Sequence, residues 1–157
     1  MEHGSDGCPG LFELRTPRQL FEKAKKDAEL FWTQPTDENL FNYLCTLNHL
    51  RDWICPWGPN SYEKKPEGKR TAEENLYAEL HADPDFSIVR ALCNNAKHFN
   101  DHDIGYRTSI VEGFRCDLGR CGDRLNQRYL LVDREDIRVI AGNVLNRYQA
   151  FFDDQTE

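Results

Sequence analysis

Apolar residues recur every three to four positions along most of the chain, and the places where this rhythm fails mark its joints. Leu20, Phe21, Ala24, Ala28, Phe31 and Trp32 share one helical face. Thr16-Pro17 puts a capping hydroxyl before a proline at the first helical position. A first helix is therefore predicted from Thr16 to about Gln34, with Pro35 as its stop. Thr36-Asp37-Glu38 opens a second, whose apolar set (Leu40, Phe41, Leu44, Cys45, Leu47, Leu50, Trp53 and Ile54) nearly encircles it, so it is expected at the centre of the fold. Thr71 followed by Glu74 is a capping box for a short third helix reaching His81. Asp83-Pro84-Asp85 breaks it, and Phe86, Val89, Leu92, Cys93, Ala96 and Phe99 form the inward stripe of a fourth, ending near His98.

After His102 the period changes from helical to alternating. Tyr106, Thr108, Ile110, Glu112 and Phe114 form one strand-like run, and Arg128 to Val132 a second, with Gly119 and Gly122 in the long turn between them. Asp133 to Asp136 then caps a last helix carrying Ile137, Ile140, Val144, Leu145, Tyr148, Phe151 and Phe152. The expectation is a mainly α fold, a bundle of four to five helices with one β-hairpin before the last helix. It forms a single domain over residues 16–157, with the hairpin at 105–132. Residues 1–15, with Gly4, Gly7, Pro9 and Gly10 and no periodicity, read as a flexible leader that Leu11, Phe12 and Leu14 pin to the core.

The length of 157 residues suits one domain with its own core. With no apolar run near the ~18 residues of a membrane span and no targeting segment at Met1 to Asp6, a cytoplasmic protein without membrane contact is expected. A net charge of -7 argues against indiscriminate coating of nucleic acid, while leaving room for a local basic site. One such cluster exists. Lys64, Lys65, Lys69 and Arg70 lie in a Pro- and Gly-rich loop, read either as a contact surface for phosphate or an acidic partner or as a solvated connector. Trp57 and Tyr62 are read as exposed contact residues there, and Trp53 as core.

The six cysteines, Cys8, Cys45, Cys55, Cys93, Cys116 and Cys121, are expected to stay reduced. Cys45 and Cys93 fall in apolar helical patterns, where a thiol acts as a small hydrophobe. Cys116 and Cys121 have no second close pair at zinc spacing, leaving only a set with His98 and His102 as a metal alternative. No metal and no cofactor are expected. No phosphate-binding glycine loop, nucleophile elbow or H-E-x-x-H run is present.

Chemistry is concentrated in Arg90-Ala-Leu-Cys-Asn-Asn-Ala-Lys-His98. Residues four and eight apart advance by about 40° and 80° around a helix, so Arg90, Asn94 and His98 form one polar stripe with Lys97 nearby. Such a stripe has to meet water, a partner or buried polar groups. Helix two offers Asn42, Asn48, His49 and Asp52 for the last of these.

Phe41-Asn42-Tyr43, His49-Leu50-Arg51-Asp52-Trp53-Ile54 and the later Arg90, Asn94, Lys97, His98 and Phe99 carry a resemblance. Over Leu40 to Phe99 the chain resembles a family of small helical proteins of bacteria and their mobile elements, and its layout is similar to the HEPN superfamily. That superfamily comprises four-helix bundles, often dimeric, many of them metal-independent ribonucleases of toxin, CRISPR and abortive-infection systems. Its active members carry an Arg followed after four to six residues by a His. Here seven residues separate Arg90 from His98, and two helical turns put them ~12 Å apart along the axis. A homodimer would be needed to bring His98 of one chain near Arg90 of another. The resemblance then implies His98 as general acid or base, Arg90 as charge stabiliser and Asn94 as positioning donor, acting on RNA.

Two functions follow. The first is an interaction module of a bacterial or mobile-element defence, counter-defence or toxin-type system, engaging a basic protein partner with its acidic surface. The alternative is a metal-independent ribonuclease with Arg90, Asn94 and His98 at the site. Lys97, His49, Asp52, Lys64, Lys65, Lys69 and Arg70 are the candidate binding residues.

Overall fold

The computed structural model describes residues 10–98 and 103–155. Residues 1–9 of the leader with Cys8, Phe99 of the fourth helix's stripe, and His102 of the metal alternative lie outside the described residues. The fold is mainly helical with a small antiparallel sheet, in the order α1 (Pro17–Thr33), α2 (Asp37–Ile54), α3 (Ala72–Ala82), α4 (Pro84–His98), β1 (Thr108–Glu112), β2 (Arg128–Val132), β3 (Glu135–Asp136) and α5 (Ile137–Asp154). No helix among the described residues is long and apolar enough to cross a membrane.

Local chemistry sets the helix starts. Thr16 and Gln19 form a reciprocal capping box at α1, the Thr16 hydroxyl accepting from Gln19 N at 3.2 Å and Gln19 Oε1 accepting from Thr16 N at 3.0 Å. Thr71 and Glu74 do the same at α3. The Asp83-Pro84-Asp85 run is more than a break, because Asp83 Oδ1 accepts from Phe86 N at 2.9 Å and Pro84 becomes the first residue of α4. Ahead of α1, Leu11 and Leu14 bond to each other through their backbones. Leu14 packs on the core, whereas Leu11 and Phe12 are exposed.

The main core cluster is drawn from all five helices, β2 and Ile104 of the turn that follows α4. α2 runs through its middle in contact with α1, α3, α4 and α5, as its encircling apolar pattern suggests. Two buried tyrosines tie α2 to α5 through helix carbonyls, Tyr43 Oη donating to Ala141 O at 3.2 Å and Tyr148 Oη to Leu47 O at 2.8 Å. Each phenol thus keeps a partner where an unpaired hydroxyl would cost about 1–3 kcal/mol.

β1 and β2 pair antiparallel with Ile110 opposite Leu130, so the predicted hairpin is present. It is shorter than its sequence pattern. Tyr106 belongs to a 3₁₀ turn, Asp103–Arg107, and Phe114 lies beyond β1. β3, read from sequence only as a helix cap, is also a strand. The chain reverses from β2 into it through Asp133 (φ 50°) and Arg134 (φ 73°), both in the left-handed region that a two-residue hairpin turn of matching twist requires.

The long loop between β1 and β2 is clasped to the start of α5. Arg138, 2% exposed, donates from Nε to Asp136 Oδ2 at 2.9 Å and from Nη1 to Asp123 Oδ1 at 2.6 Å. Its Nη2 bridges both carboxylates at 2.7 and 3.1 Å. Asp123 Oδ2 also accepts from Tyr129 Oη at 3.1 Å and Arg120 N at 2.9 Å, and the guanidinium lies 5.0 Å from the Trp32 ring centre. Burial works against the Arg138 charge, but the two carboxylates outweigh it and hold its pKa above the ordinary value. Arg138 in turn holds Asp123 below the usual carboxylate range.

Candidate functional site: the outer face of α4

α4 buries Phe86, Val89 and Cys93 and turns its polar stripe outward. Arg90, Lys97 and His98 are exposed and Asn94 half-buried. The 3₁₀ turn Asp103–Arg107 rises beside this face. Between them lies a groove of about 420 Å³ lined by Ser87, Arg90, Ala91, Asn94, Asp103, Ile104 and Arg107.

The groove brings together two of the three predicted stripe residues. Arg90 and Asn94 line it, whereas His98, at the end of α4, does not. The two arginines in its walls differ in state. Arg107 holds Asp133 in a bidentate ion pair, Nε donating to Oδ2 at 2.9 Å and to Oδ1 at 3.0 Å while Nη2 also reaches Oδ2. That pair raises the Arg107 pKa and lowers that of Asp133. Arg90 forms no ion pair among the described residues. An exposed guanidinium in a concave wall, not held in an ion pair, can offer its forked donors to an incoming carboxylate or phosphate. Asn94 and the Ser87 hydroxyl add donors or acceptors on the same helix.

The expectation that α2 satisfies this stripe is corrected. His49 and Asp52 are exposed, and Asp52 Oδ1 accepts instead from its neighbour Arg51, at 3.2 Å from Nε. Arg51 rather than Asp52 is the residue α2 turns inward. It is 7% exposed, with its guanidinium 4.3 Å from the Tyr77 ring centre and 4.8 Å from that of Phe86. The period of the apolar residues hides this, because a buried arginine held by aromatic faces carries no apolar letter.

The basic loop is partly tied down. Lys65 donates to Glu74 at 2.7 Å and Arg70 lies over the Tyr62 ring, while Lys64 and Lys69 are exposed. The Lys65 ammonium, with the Thr71 amide, holds Glu74 below the usual carboxylate range. Tyr62, predicted as an exposed contact residue, is instead 7% exposed and packs with Cys55 and Tyr77. Trp57 is 70% exposed, and Trp53 packs against the core, both as expected.

Cys45 on α2 and Cys93 on α4 meet behind the stripe with their sulfurs 3.4 Å apart as free thiols. Burial, then hydrogen bonding to Cys93, pushes the Cys45 thiol up to about 12, with Lys97 and Lys23 acting in the opposite sense. Cys116 and Cys121 are free and exposed. Compared with protein-family models, with curated proteins and with solved structures, the chain finds no match in any of the three.

Proposed function

We propose that this chain is a helical interaction module that engages a protein partner through the outer face of α4. The observation that carries this reading is Arg90, an exposed arginine with no ion pair among the described residues, set in a groove with Asn94 and Ser87. Exposed arginines beside a concavity are favoured anchors in interfaces, because the planar fork gains two directed bonds when a partner carboxylate arrives. Lys97 and His98 extend the same exposed face toward the end of the helix. The resemblance to small helical proteins of bacteria and mobile elements adds a setting to the proposal, a defence, counter-defence or toxin-type system.

The metal-independent ribonuclease is the second reading, and the open position of the whole stripe favours it: Arg90, Asn94 and His98 all reach solvent or the groove. In this reading the ~12 Å rise between Arg90 and His98 requires a homodimer that supplies the two from different chains.

One paired experiment tests both. Tagged wild-type and Arg90→Glu protein are incubated with lysate of the source cell, and the retained polypeptides are compared by quantitative mass spectrometry. A polypeptide held by wild type and lost from Arg90→Glu, with equal melting temperatures, supports the module. Labelled RNA incubated in EDTA with wild type and with His98→Ala addresses the second reading. Cleavage abolished by His98→Ala supports the ribonuclease, and equal background from both proteins rejects it.

A further inference from the structure

The contact between Cys45 and Cys93 is a different kind of site from the groove, and it stands independently of the function proposed above. The two sulfurs are 3.4 Å apart, on adjacent turns of two packed helices. A disulfide needs the sulfurs about 2.05 Å apart, so closure asks the two sulfurs to approach by about 1.4 Å. Cys93 is 1% exposed and Cys45 half-buried, so an oxidant as small as a peroxide has one sulfur to approach and a second waiting behind it. The other described thiols lack this arrangement: Cys55 contacts Ser61 Oγ at 3.7 Å, and Cys116 and Cys121 are free and exposed.

We propose that Cys45 and Cys93 form an oxidisable pair, a modification site at which a peroxide links α2 to α4 by a disulfide. In the first step the Cys45 sulfur, having lost its proton, attacks one peroxide oxygen. The O–O bond breaks, Cys45 becomes a sulfenic acid, and the departing hydroxide takes up the released proton as water. In the second step the Cys93 sulfur attacks the sulfenic sulfur, the S–O bond breaks, and the Cys93 proton leaves with that oxygen as a second water. Hydrogen peroxide is reduced and the two thiols are oxidised, two electrons in all. The product ties the middle of α4, one residue before Asn94, to α2 and closes a loop that contains the whole of α3.

The environment of Cys45 sets the pace. Cys93 from α4 disfavours its thiolate, and Lys97 from α4 with Lys23 from α1 favour it, but burial dominates. Because the thiolate is the reacting form, linkage is slow at neutral pH and quickens about tenfold per pH unit below the Cys45 pKa.

The test uses the full chain. Wild-type protein is treated with hydrogen peroxide, the remaining thiols are blocked with N-ethylmaleimide, and the product is digested with trypsin without reductant. Cleavage after Lys26, Arg51, Arg90 and Lys97 isolates each cysteine on its own peptide, Asp27 to Arg51 and Ala91 to Lys97. The expected result is one linked species 2 Da lighter than the sum of the two peptides, released by dithiothreitol, together with a melting temperature raised by roughly 5–10 °C that reverts on reduction. Cys93→Ser, and separately Cys93→Ala, should leave Cys45 as a sulfenic or further oxidised acid and remove the rise. Recovery of both wild-type peptides as maleimide adducts, after Cys116 and Cys121 have been fully oxidised, would overturn the proposal. So would linkage of Cys45 to any cysteine other than Cys93.

Discussion

Arg138 and Arg90 are the same residue type on two helices of one small fold, and they stand in opposite circumstances. Arg138 is 2% exposed and spends its donors on Asp123 and Asp136 beneath Trp32. Arg90 is exposed in a groove wall and forms no ion pair among the described residues. Charge alone therefore says little about role. A buried guanidinium whose bonds are all made belongs to the fold, since removing one partner leaves an uncompensated charge in a dry site. An exposed and unpaired one costs the fold little to keep or lose, which leaves it available to a partner.

The largest expected effect breaks the clasp. Asp123→Ala removes the carboxylate that meets Arg138 Nη1 and Nη2, Tyr129 Oη and Arg120 N. Loss of stability of ~3–5 kcal/mol is expected, read by urea denaturation. A loss under ~1 kcal/mol would mean that the clasp is solvated and that the contrast with Arg90 is only one of geometry.

Acid should weaken the same clasp next. Asp123 is held below its ordinary carboxylate pKa in the folded state, so its contribution is fully present above the unfolded value of ~3.9 and is lost as pH falls through the depressed folded value. Melting temperature followed from pH 6 to pH 2 should fall more steeply for wild type than for Asp123→Asn. Parallel curves would remove Asp123 from the acid response.

How much of this contrast could be read from the sequence depends on range. Helix starts at Thr16, Thr36 and Thr71 rest on residues three apart, and the sequence shows them directly. The hairpin is legible from alternation, except that Tyr106 continues the pattern into a 3₁₀ turn. The Arg90 and Asn94 stripe is legible because it lies on one helix. The opposite wall of the groove is not, since Asp103 and Arg107 join it only through the packing of that turn on α4. The clasp was hidden for the same reason: Asp123 and Arg138 are fifteen residues apart with β2 and β3 between them, and neither sits in a pattern that marks it as buried. Cys45 and Cys93 each read as core, while their meeting depends on the register of α2 against α4.

A smaller effect sharpens the comparison within the groove. Arg107→Ala breaks the exposed ion pair with Asp133, both partners about half exposed, and should leave the melting temperature close to that of wild type. A marked drop would show that the pair anchors the turn Asp103–Arg107 and holds the groove open.

The most direct measurement sets Arg90→Ala beside Arg138→Ala in chemical denaturation under the same conditions. Arg138→Ala should lose ~3–5 kcal/mol, because Asp123 and Asp136 stay buried without their cation. Arg90→Ala should stay within ~0.5 kcal/mol of wild type, as exposed substitutions away from fold-bearing contacts do. Comparable losses from the two variants would contradict the account, because Arg90 would then belong to the fold and could not be held in reserve for a partner.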